Sequence, residues 1–411
     1  MKKIYHSLRH RAAGYWLNGR HPDVVQIAVT GSYGKTSITS AIFQALSAVH
    51  PTIRTDINLD TIYNVPITAL RVRAAHKFAV FELGIDSRNE MDLHLRIVRP
   101  SISVVTGITP VHSDEKHAGS LEHIIQQKGR IIEVLAAEDT AILNADDPEV
   151  SAMASRTRAR ILYYGSAASS DYRVDDLRLS LSGTAFTIHS PHGEIAVETG
   201  LLGAHNAENL AGAAAVAHLA GLSNDTIRAA FGGLQPLKGR FSVEPGPNGL
   251  ILINDTLRAN PASTKAGLQF LGRFRSQARV IAVLGEMGEL GEHALVGHRE
   301  IGTAAAAADP ALLITVGELT RHTAEAAQDG GLPNDRIHAV QDVHAAAELL
   351  ERHARAGDIV YLKGSLMRHM ERIPMLLAGE QVGCRVISCP FYHQCPACDF
   401  LVSGYNRSDN K

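Results

Sequence analysis

A glycine-rich loop between an apolar run and an amphipathic segment constrains the fold of this chain more than any other feature. Residues 24–29 are mostly β-branched and apolar, which predicts a buried strand. Residues 36–48 have helical spacing, and the face that this spacing predicts carries Ile38, Ile42, Leu46 and Val49. Between the two lies Thr30-Gly31-Ser32-Tyr33-Gly34-Lys35-Thr36. A loop in this position presents backbone N–H groups and the positive end of a helix dipole to one point, so it predicts an anion site.

The residues of the loop indicate which anion it binds. Lys35 supplies a mobile positive charge for the β- and γ-phosphates of a nucleotide, and the Thr36 hydroxyl is a ligand for Mg²⁺. Val29 stands where the broad phosphate-loop pattern has its first glycine, so the loop has a shorter form. The alternative is a plain strand–helix turn with a surface lysine. We expect ATP to be bound by the loop residues Gly31, Ser32, Gly34, Lys35, Thr36 and Ser37.

Strand and helix patterns recur along the chain and predict an α/β protein. Further buried strands are expected at 78–81, 103–105, 141–143, 250–253, 280–284, 312–316 and 359–362, with antiparallel strands over 171–197 and a helix over 206–220. We predict a P-loop central domain with a mostly parallel sheet, followed by a Rossmann-like α/β domain. The expected divisions are an N-terminal helical segment at 1–24, the two domains at 25–240 and 241–380, and a cysteine-containing tail at 381–411. The Pro- and Gly-rich stretch 234–249 is interpreted as the hinge.

Composition excludes several classes of protein. With 45% apolar residues, 20% charged residues and a net charge of -2, the chain has no global basic field for nucleic acid. The sequence has no run of 18 apolar residues, no signal peptide, and no cysteine before Cys384, which favours a cytoplasmic protein. The first 20 residues are expected to form a helix that caps the body, with a weak membrane-surface helix as the alternative.

Ten motifs, taken in order over about residues 26–375, resemble the Mur ligases, and among them the members that add a D-alanyl-D-alanine dipeptide. The phosphate loop is the first, followed by Asn58 with Asn64-Val65-Pro66, which resembles an Asn-rich turn. The others are Phe81-Glu82-Leu83-Gly84, His112, Gln127-Lys128-Gly129 before Asn144-Ala145-Asp146-Asp147, Gly203-Ala204-His205-Asn206-Ala207-Glu208-Asn209, Lys238-Gly239-Arg240, Asn254-Asp255-Thr256 with Asn260-Pro261, Leu284-Gly285-Glu286-Met287-Gly288, and Lys363-Gly364-Ser365.

The resemblance implies an ADP-forming amide ligase that joins a carboxylate to an amino acid or dipeptide through an acyl phosphate. It implies two Mg²⁺ ions, held by Thr36, Glu82, His112 and Lys128, with Lys128 in the position of a lysine that is carbamylated in many relatives. His117 is the alternative to His112. Catalytic roles are implied for Lys35, Glu82, His112, Lys128 and Arg240.

Other residues are assigned to substrates by the same resemblance. Asn206 and Asn209 resemble residues that meet the adenine side of ATP. Arg240, just before the hinge, is implied to reach the phosphates when the domains close, and Asp255 and Asn260 resemble the nucleotide-facing loop of the second domain. Asn58, Glu286, His298, Lys363 and Ser365 are candidates for contacts with the acid or the amine.

The chain departs from the family pattern in its substrate positions. Only about 24 residues precede the first strand, so the N-terminal domain that holds a nucleotide sugar is expected to be lacking. Leu366 stands where the family has an arginine after Lys-Gly-Ser. Two alternatives therefore stay open: a folylpolyglutamate-type ligase, and an ATP-binding subunit that acts with a partner protein.

The tail has a cysteine pattern outside the resemblance. Cys384, Cys389, Cys395 and Cys398 lie within 15 residues, with His393 among them. Soft ligands at this density are compatible with Zn²⁺ or an iron–sulfur cluster, and the Cys-x-x-Cys pair with a redox role. Free thiols are the favoured interpretation, with a metal as the alternative.

Overall fold

The computed structural model describes residues 2–56, 61–87, 89–109, 120–391 and 394–405, and it divides the chain into two compact units, 1–235 and 236–411. No helix in these ranges is long and apolar enough to cross a membrane.

The first unit is built on a nine-stranded sheet in the order β2-β3-β1-β4-β5-β6-β7-β8-β9. Its strands are β1 Val25–Thr30, β2 Thr52–Arg54, β3 Phe78–Glu82, β4 Ile102–Val105, β5 Thr140–Asn144, β6 Arg160–Gly165, β7 Tyr172–Ser180, β8 Gly183–Ser190 and β9 Gly193–Thr199. Its helices are α1 Lys2–Tyr15, α2 Lys35–Ser47, α3 Thr61–Arg71, α4 Glu90–Leu95, α5 Leu121–Glu133, α6 Pro148–Ala152, α7 Ala204–Leu219 and α8 Asn224–Gly232.

Pairing in this sheet changes along its order. The strands from β2 to β7 pair in parallel, whereas β7, β8 and β9 form an antiparallel meander. Successive side chains of a strand point to opposite faces, so Ile27 and Val29 of β1 join a core with α2 and α7, and Ala28 joins the core on the other face. The sheet is therefore covered on both faces, as expected for parallel strands.

Helix α1 and the π-helical turn Trp16–Arg20 that follows it pack onto the first unit near α3. Ala13 and Leu17 are fully buried, and the Trp16 indole donates to the Val72 carbonyl at 3.0 Å. Asn18 donates to the Ile97 carbonyl at 2.8 Å. The N-terminal helix thus caps the body, as the first of the two interpretations expects.

The second unit contains a six-stranded sheet in the order β10-β11-β15-β12-β13-β14. Its strands are β10 Ser242–Pro245, β11 Ile251–Asp255, β12 Val280–Gly285, β13 Leu312–Val316, β14 Ile337–Val340 and β15 Ile359–Lys363, and its helices are α9 Pro261–Gly272, α10 Ala294–Ala308, α11 Arg321–Asp329, α12 Val343–His353 and α13 Arg372–Leu377. All neighbours pair in parallel except β10 with β11.

The prediction of an α/β fold with mostly parallel sheets is confirmed, and two local expectations, for Val49 and for Asn64 with Pro66, are wrong. Val49 lies two residues beyond the end of α2 at Ser47 and is 52% exposed, so it does not share the buried face of the helix. The stretch 234–249, interpreted as a hinge, contains the boundary between the two units as well as strand β10, and its role as a hinge stays a prediction. Asn64 and Pro66 lie inside helix α3, not in a turn.

Candidate functional site

The phosphate loop joins the carboxyl end of β1 to the first turn of α2. Gly34 has a left-handed φ of 78°, and a Cβ on it would lie 2.9 Å from Asn209 Oδ1 of α7. A side chain at Gly31 would collide with Thr106. Both positions need glycine, because α7 and the segment after β4 approach the backbone of the loop closely.

Side chains at the ends of β4 and β5 form hydrogen bonds that support the phosphate loop. Thr106, just after β4, donates from its hydroxyl to the carbonyl of Tyr33 and from its backbone N–H to Thr30 O. Asn144, at the end of β5, donates to Thr106 O at 2.7 Å. Asn144 belongs to one of the motifs of the resemblance, whereas Thr106 was not predicted, although the ends of parallel strands are where ligand-binding groups collect. They fix the conformation of the loop.

Two lysines converge on one carbonyl of the loop. Lys35 Nζ donates to Gly31 O at 2.6 Å, and Lys128 Nζ of α5 donates to the same oxygen at 2.9 Å. Lys128 is buried, and burial lowers its pKa well below the ordinary value for lysine, with the charge of Lys35 lowering it further. Asp86, Glu90 and Glu82 oppose this effect. The loop therefore concentrates positive charge, which an anion would neutralise.

A hydroxyl and a carboxylate stand next to these cations. Thr36 Oγ1 donates to Glu82 Oε1 at 3.2 Å, and Glu82 is the last residue of β3. The backbone N–H of Glu82 donates to Thr55 Oγ1 at 2.9 Å, which fixes the strand end. Mg²⁺ takes oxygen ligands, usually one or two carboxylates together with phosphate oxygens and water. The pair fits that requirement. Asn58, His112 and His117 lie outside the described residues.

The first turn of α7 adds a buried polar surface beside the loop. Asn206 Nδ2 donates to Leu202 O at 2.8 Å, while Asn206 Oδ1 is buried and accepts no hydrogen bond from the described chain. Burial raises the pKa of Glu208 to about 7, and the charge of Asp146 adds to the effect. Tyr33 donates from its hydroxyl to Asp147 Oδ2 at 3.3 Å. This surface offers acceptors and a hydroxyl next to the phosphate loop.

In the second unit, a buried ion pair joins two neighbouring strand ends. Lys363 Nζ, at the end of β15, donates to Asp255 Oδ2, at the end of β11, over 2.6 Å. Burial lowers the pKa of Lys363, the pairing with Asp255 opposes this, and the charge of Arg240 lowers it further. The geometry thus places Asp255, Lys363 and Arg240 together.

A second polar cluster follows β12. Glu286 Oε2 pairs with Arg368 at 2.7 Å, and its other oxygen accepts from the Leu319 N–H at 2.9 Å. Ser365 Oγ accepts from the Gly288 N–H at 2.7 Å. His298 Nε2 accepts from the Met287 N–H at 3.2 Å, and burial lowers the pKa of His298, so its ring is neutral at pH 7. Arg368 was not predicted.

Asn260 has a local structural role. Its Oδ1 accepts from the Ser263 N–H at 2.9 Å, and the Ser263 hydroxyl accepts from the Asn260 N–H at 3.3 Å, which forms a capping box at the start of α9. The proposed nucleotide contact of Asn260 stays a prediction.

Comparison with known proteins places the chain in a family. The family profile of the Mur ligase middle domain matches residues 29–217, and that of the Mur ligase glutamate ligase domain matches residues 239–366. A UDP-N-acetylmuramoyl-tripeptide–D-alanyl-D-alanine ligase from Mycobacterium tuberculosis is 32% identical over 359 residues, which are 82% of this chain and 70% of the relative. The chain belongs to the Mur ligase family.

Two further comparisons agree. A ligase of the same name from Haemophilus influenzae is 33% identical over 67% of this chain, which spans only 60% of the length of that relative. A solved structure of MurF from Acinetobacter baumannii matches with a TM-score of 0.82 and 26% identity, covering 91% of this chain and 81% of the other. The prediction of a Mur ligase, nearest the members that add D-alanyl-D-alanine, is confirmed.

The geometry of this Mur ligase groups the predicted residues into two sets. Lys35, Thr36, Glu82 and Lys128 meet at the phosphate loop of the first unit, with Asn209 against Gly34. The second set lies at the carboxyl end of the six-stranded sheet, and its members are Arg240, Asp255, Glu286, His298, Lys363 and Ser365.

Proposed function

We propose that this Mur ligase is an ATP-dependent, ADP-forming enzyme that joins a substrate carboxylate to the amine of an amino acid or dipeptide. The observation that carries the proposal is the convergence of Lys35 and Lys128 on Gly31 O, beside the Thr36–Glu82 pair. Lys35 supplies a positive charge to the phosphates of a bound nucleotide, while the buried Lys128 amine lies at the same carbonyl and next to the Thr36–Glu82 pair.

Phosphoryl transfer requires positioning and charge neutralisation more than a protein nucleophile. A carboxylate oxygen of the substrate bonds to the γ-phosphorus while the bond to the β,γ-bridging oxygen breaks, and ADP leaves with that oxygen. The amine nitrogen then attacks the acyl carbon and loses a proton as phosphate departs. Lys35 orients the γ-phosphate and balances the charge that the bridging oxygen gains.

Mg²⁺, when bound, neutralises charge on the β- and γ-phosphates. Thr36 and Glu82 would hold the first ion, in line with their separation of 3.2 Å. We propose that Lys128 is carbamylated and, with His112, serves a second. The lowered pKa of Lys128 supports this, because only a neutral amine adds to CO₂.

The adenine is proposed to lie against the first turn of α7. Asn206 Oδ1 is a buried acceptor without a donor in the described chain, and the exocyclic amino group of adenine is such a donor. Asn209 contacts Gly34 and thereby couples this surface to the loop.

The amine is proposed to be D-alanyl-D-alanine, and the acid a peptide that ends in a free carboxylate. The names of the relatives from M. tuberculosis and H. influenzae support the dipeptide. Arg368, beside Glu286 and Ser365, lies where a fork of N–H donors could bind the dipeptide carboxylate. Arg368 would then take the role of the arginine that the family pattern has at the position of Leu366.

The test is an assay of phosphate release and product mass with Mg²⁺-ATP, D-alanyl-D-alanine and a panel of acids. We expect release that requires both acid and amine, and loss of at least about 10²-fold in Lys35→Ala. Lys77→Ala, which changes an exposed lysine of the same unit, is the control and should retain full activity. Tight ATP binding without turnover for any pair would favour the ATP-binding subunit of a partner protein.

A further inference from the structure

The chain after α13 is irregular but held in a defined arrangement. Within the described part of residues 378–405, the regular structure is one short turn, Cys395–Ala397. The N–H groups of Gly383 and Cys384 donate to Leu401 O at 2.9 and 3.0 Å, and the N–H of Cys389 donates to Met367 O at 2.9 Å. A metal ion bound by side chains of such a segment would add its binding free energy to folding.

The four cysteines of this segment are free thiols gathered in one place. Cys384, Cys389 and Cys395 are buried, and Cys398 is half-buried. Cys398 lies within electrostatic reach of Cys395 and of Cys389. The pair Cys395–Cys398 has two intervening residues, and the Cys398 N–H donates to Cys395 O at 2.9 Å, which closes the turn between them. This spacing is common among zinc ligands.

A buried arginine lies against two of the sulfurs. Arg372 donates from Nε to Cys395 Sγ at 2.9 Å and from Nη2 to Cys384 Sγ at 3.4 Å. The guanidinium edge that usually binds the two oxygens of a carboxylate therefore faces sulfur. The guanidinium also lies within electrostatic reach of the Glu371 carboxylate, so buried charges of both signs meet beside these sulfurs.

A carboxylate and an imidazole complete the group. The ligand atoms of His369, Glu371 and Cys395 all lie within 4.8 Å of one another. Glu371 Oε1 accepts from His369 Nδ1 at 2.8 Å and from the Cys395 N–H at 3.1 Å. Glu371 Oε2 is buried and accepts no hydrogen bond from the described chain. A buried carboxylate oxygen in this state indicates a cation nearby.

We propose that this cluster is a structural Zn²⁺ site, with His369, Glu371, Cys395 and Cys398 as its ligands. Binding releases the two thiol protons to solvent. Two thiolates and one carboxylate exceed the charge of the cation by one, and the Arg372 guanidinium balances the remainder. The ion cross-links the cysteine segment to residues 368–372. It thereby restricts the motion of Arg368, which pairs with Glu286.

The site differs from the set of four cysteines that the sequence suggested. Cys384 accepts from Arg372, and Cys389 Sγ accepts from the Phe391 N–H at 3.5 Å. The group whose ligand atoms converge within 4.8 Å contains neither, whereas Cys398 is tied to that group by the turn that it closes with Cys395. We assign both as thiols that pack around the site. His393 lies outside the described residues.

The experiment measures metal content of the full chain, purified without a metal-affinity tag, by mass spectrometry of Zn and Fe. We expect about one Zn per chain, lost in Cys395→Ser, Cys398→Ser and Glu371→Gln, and retained in Cys389→Ser as the matched control. Nucleotide binding by the first unit reports on folding of each variant.

Two measurements on the unaltered chain keep the proposal testable if the variants misfold. A chromophoric chelator should remove the zinc, and Co²⁺ added back should give the sulfur-to-metal absorption of two thiolates. Absence of bound zinc, even after the metal-free chain is incubated with Zn²⁺, would overturn the proposal. So would iron with acid-labile sulfide, or a site lost in Cys389→Ser but kept in Glu371→Gln.

Discussion

Burial and the neighbouring Lys35 both oppose protonation of the Lys128 amine. Burial lowers the pKa of Lys128 most, and the charge of Lys35 lowers it further. At a pH between this lowered pKa and the ordinary value of about 10.4, Lys128 therefore binds more protons in the unfolded chain than in the folded one. Protonation of Lys128 therefore opposes folding most at low pH. The free energy of unfolding rises with pH between the folded-state pKa and about 10.4. The same environment that weakens the fold prepares the amine for carbamylation.

Lys128→Met should abolish ligation while stabilising the protein. The gain over the unaltered chain should be largest at low pH and shrink as the pH rises through the window towards about 10.4. Denaturant unfolding of both proteins at several pH values, in buffer freed of CO₂, measures the difference. A gain that stays constant or grows with pH would contradict the assignment.

The Glu286–Arg368 pair allows a second test at the residue scale. Glu286→Gln leaves the largely buried Arg368 guanidinium without its carboxylate, and we expect a loss of roughly 3 kcal/mol, because Arg368 keeps some access to water. Glu318→Gln removes the exposed partner of Arg321 and should leave the free energy of unfolding unchanged. Equal effects of the two substitutions in denaturant unfolding would refute the argument.

Individual site residues differed in how far the sequence could predict them. Lys35, Thr36 and Glu82 were predictable because they sit in a loop and a strand end whose local pattern is visible. Arg368 was not, because its contact with Glu286 joins residues far apart in the chain. Thr106 was missed because its contact with the phosphate loop depends on strand order.

At the scale of the secondary-structure elements, the capping box at the start of α9 can be tested separately. Asn260→Ala removes the side-chain acceptor of the capping box and should destabilise the second unit by about 1 kcal/mol. Asn260→Ser keeps a cap and should restore most of that loss. If Asn260 also contacts the nucleotide, the serine variant would fold normally but show a raised KM for ATP, which separates the two roles.

Strands were predicted according to the strength of their apolar pattern. The fully buried strands β1, β4, β5, β12, β13 and β15 carry continuous apolar runs. Strands β2, β6 and β14 were missed because each is only partly buried, and β2 and β14 are in addition short edge strands. Strand β10 was missed because it is only four residues long and ends in proline.

At the scale of the whole molecule, the chain consists of two α/β units with separate sheets, and the phosphate loop belongs to the first. The sequence predicted two such units because strand–helix patterns resume after residue 249. It placed the change of domain within the stretch 234–249, because Pro and Gly enrichment is typical of linkers and turns. Contacts between residues place the boundary between Gln235 and Pro236.

This organisation predicts that nucleotide stabilises the units unequally. Mg²⁺-ATP bound at the loop should stabilise β1 and α2 by about 2.7 kcal/mol at a free concentration one hundred times Kd, because the ligand binds the folded loop only. Hydrogen exchange followed by mass spectrometry reads protection peptide by peptide, with β13 and β14 as the internal reference in the second unit. Lys35→Ala should remove the protection of β1 and α2 without altering exchange in the reference strands. Equal protection of both units in the unaltered chain would show that the loop of the first unit does not dominate nucleotide binding.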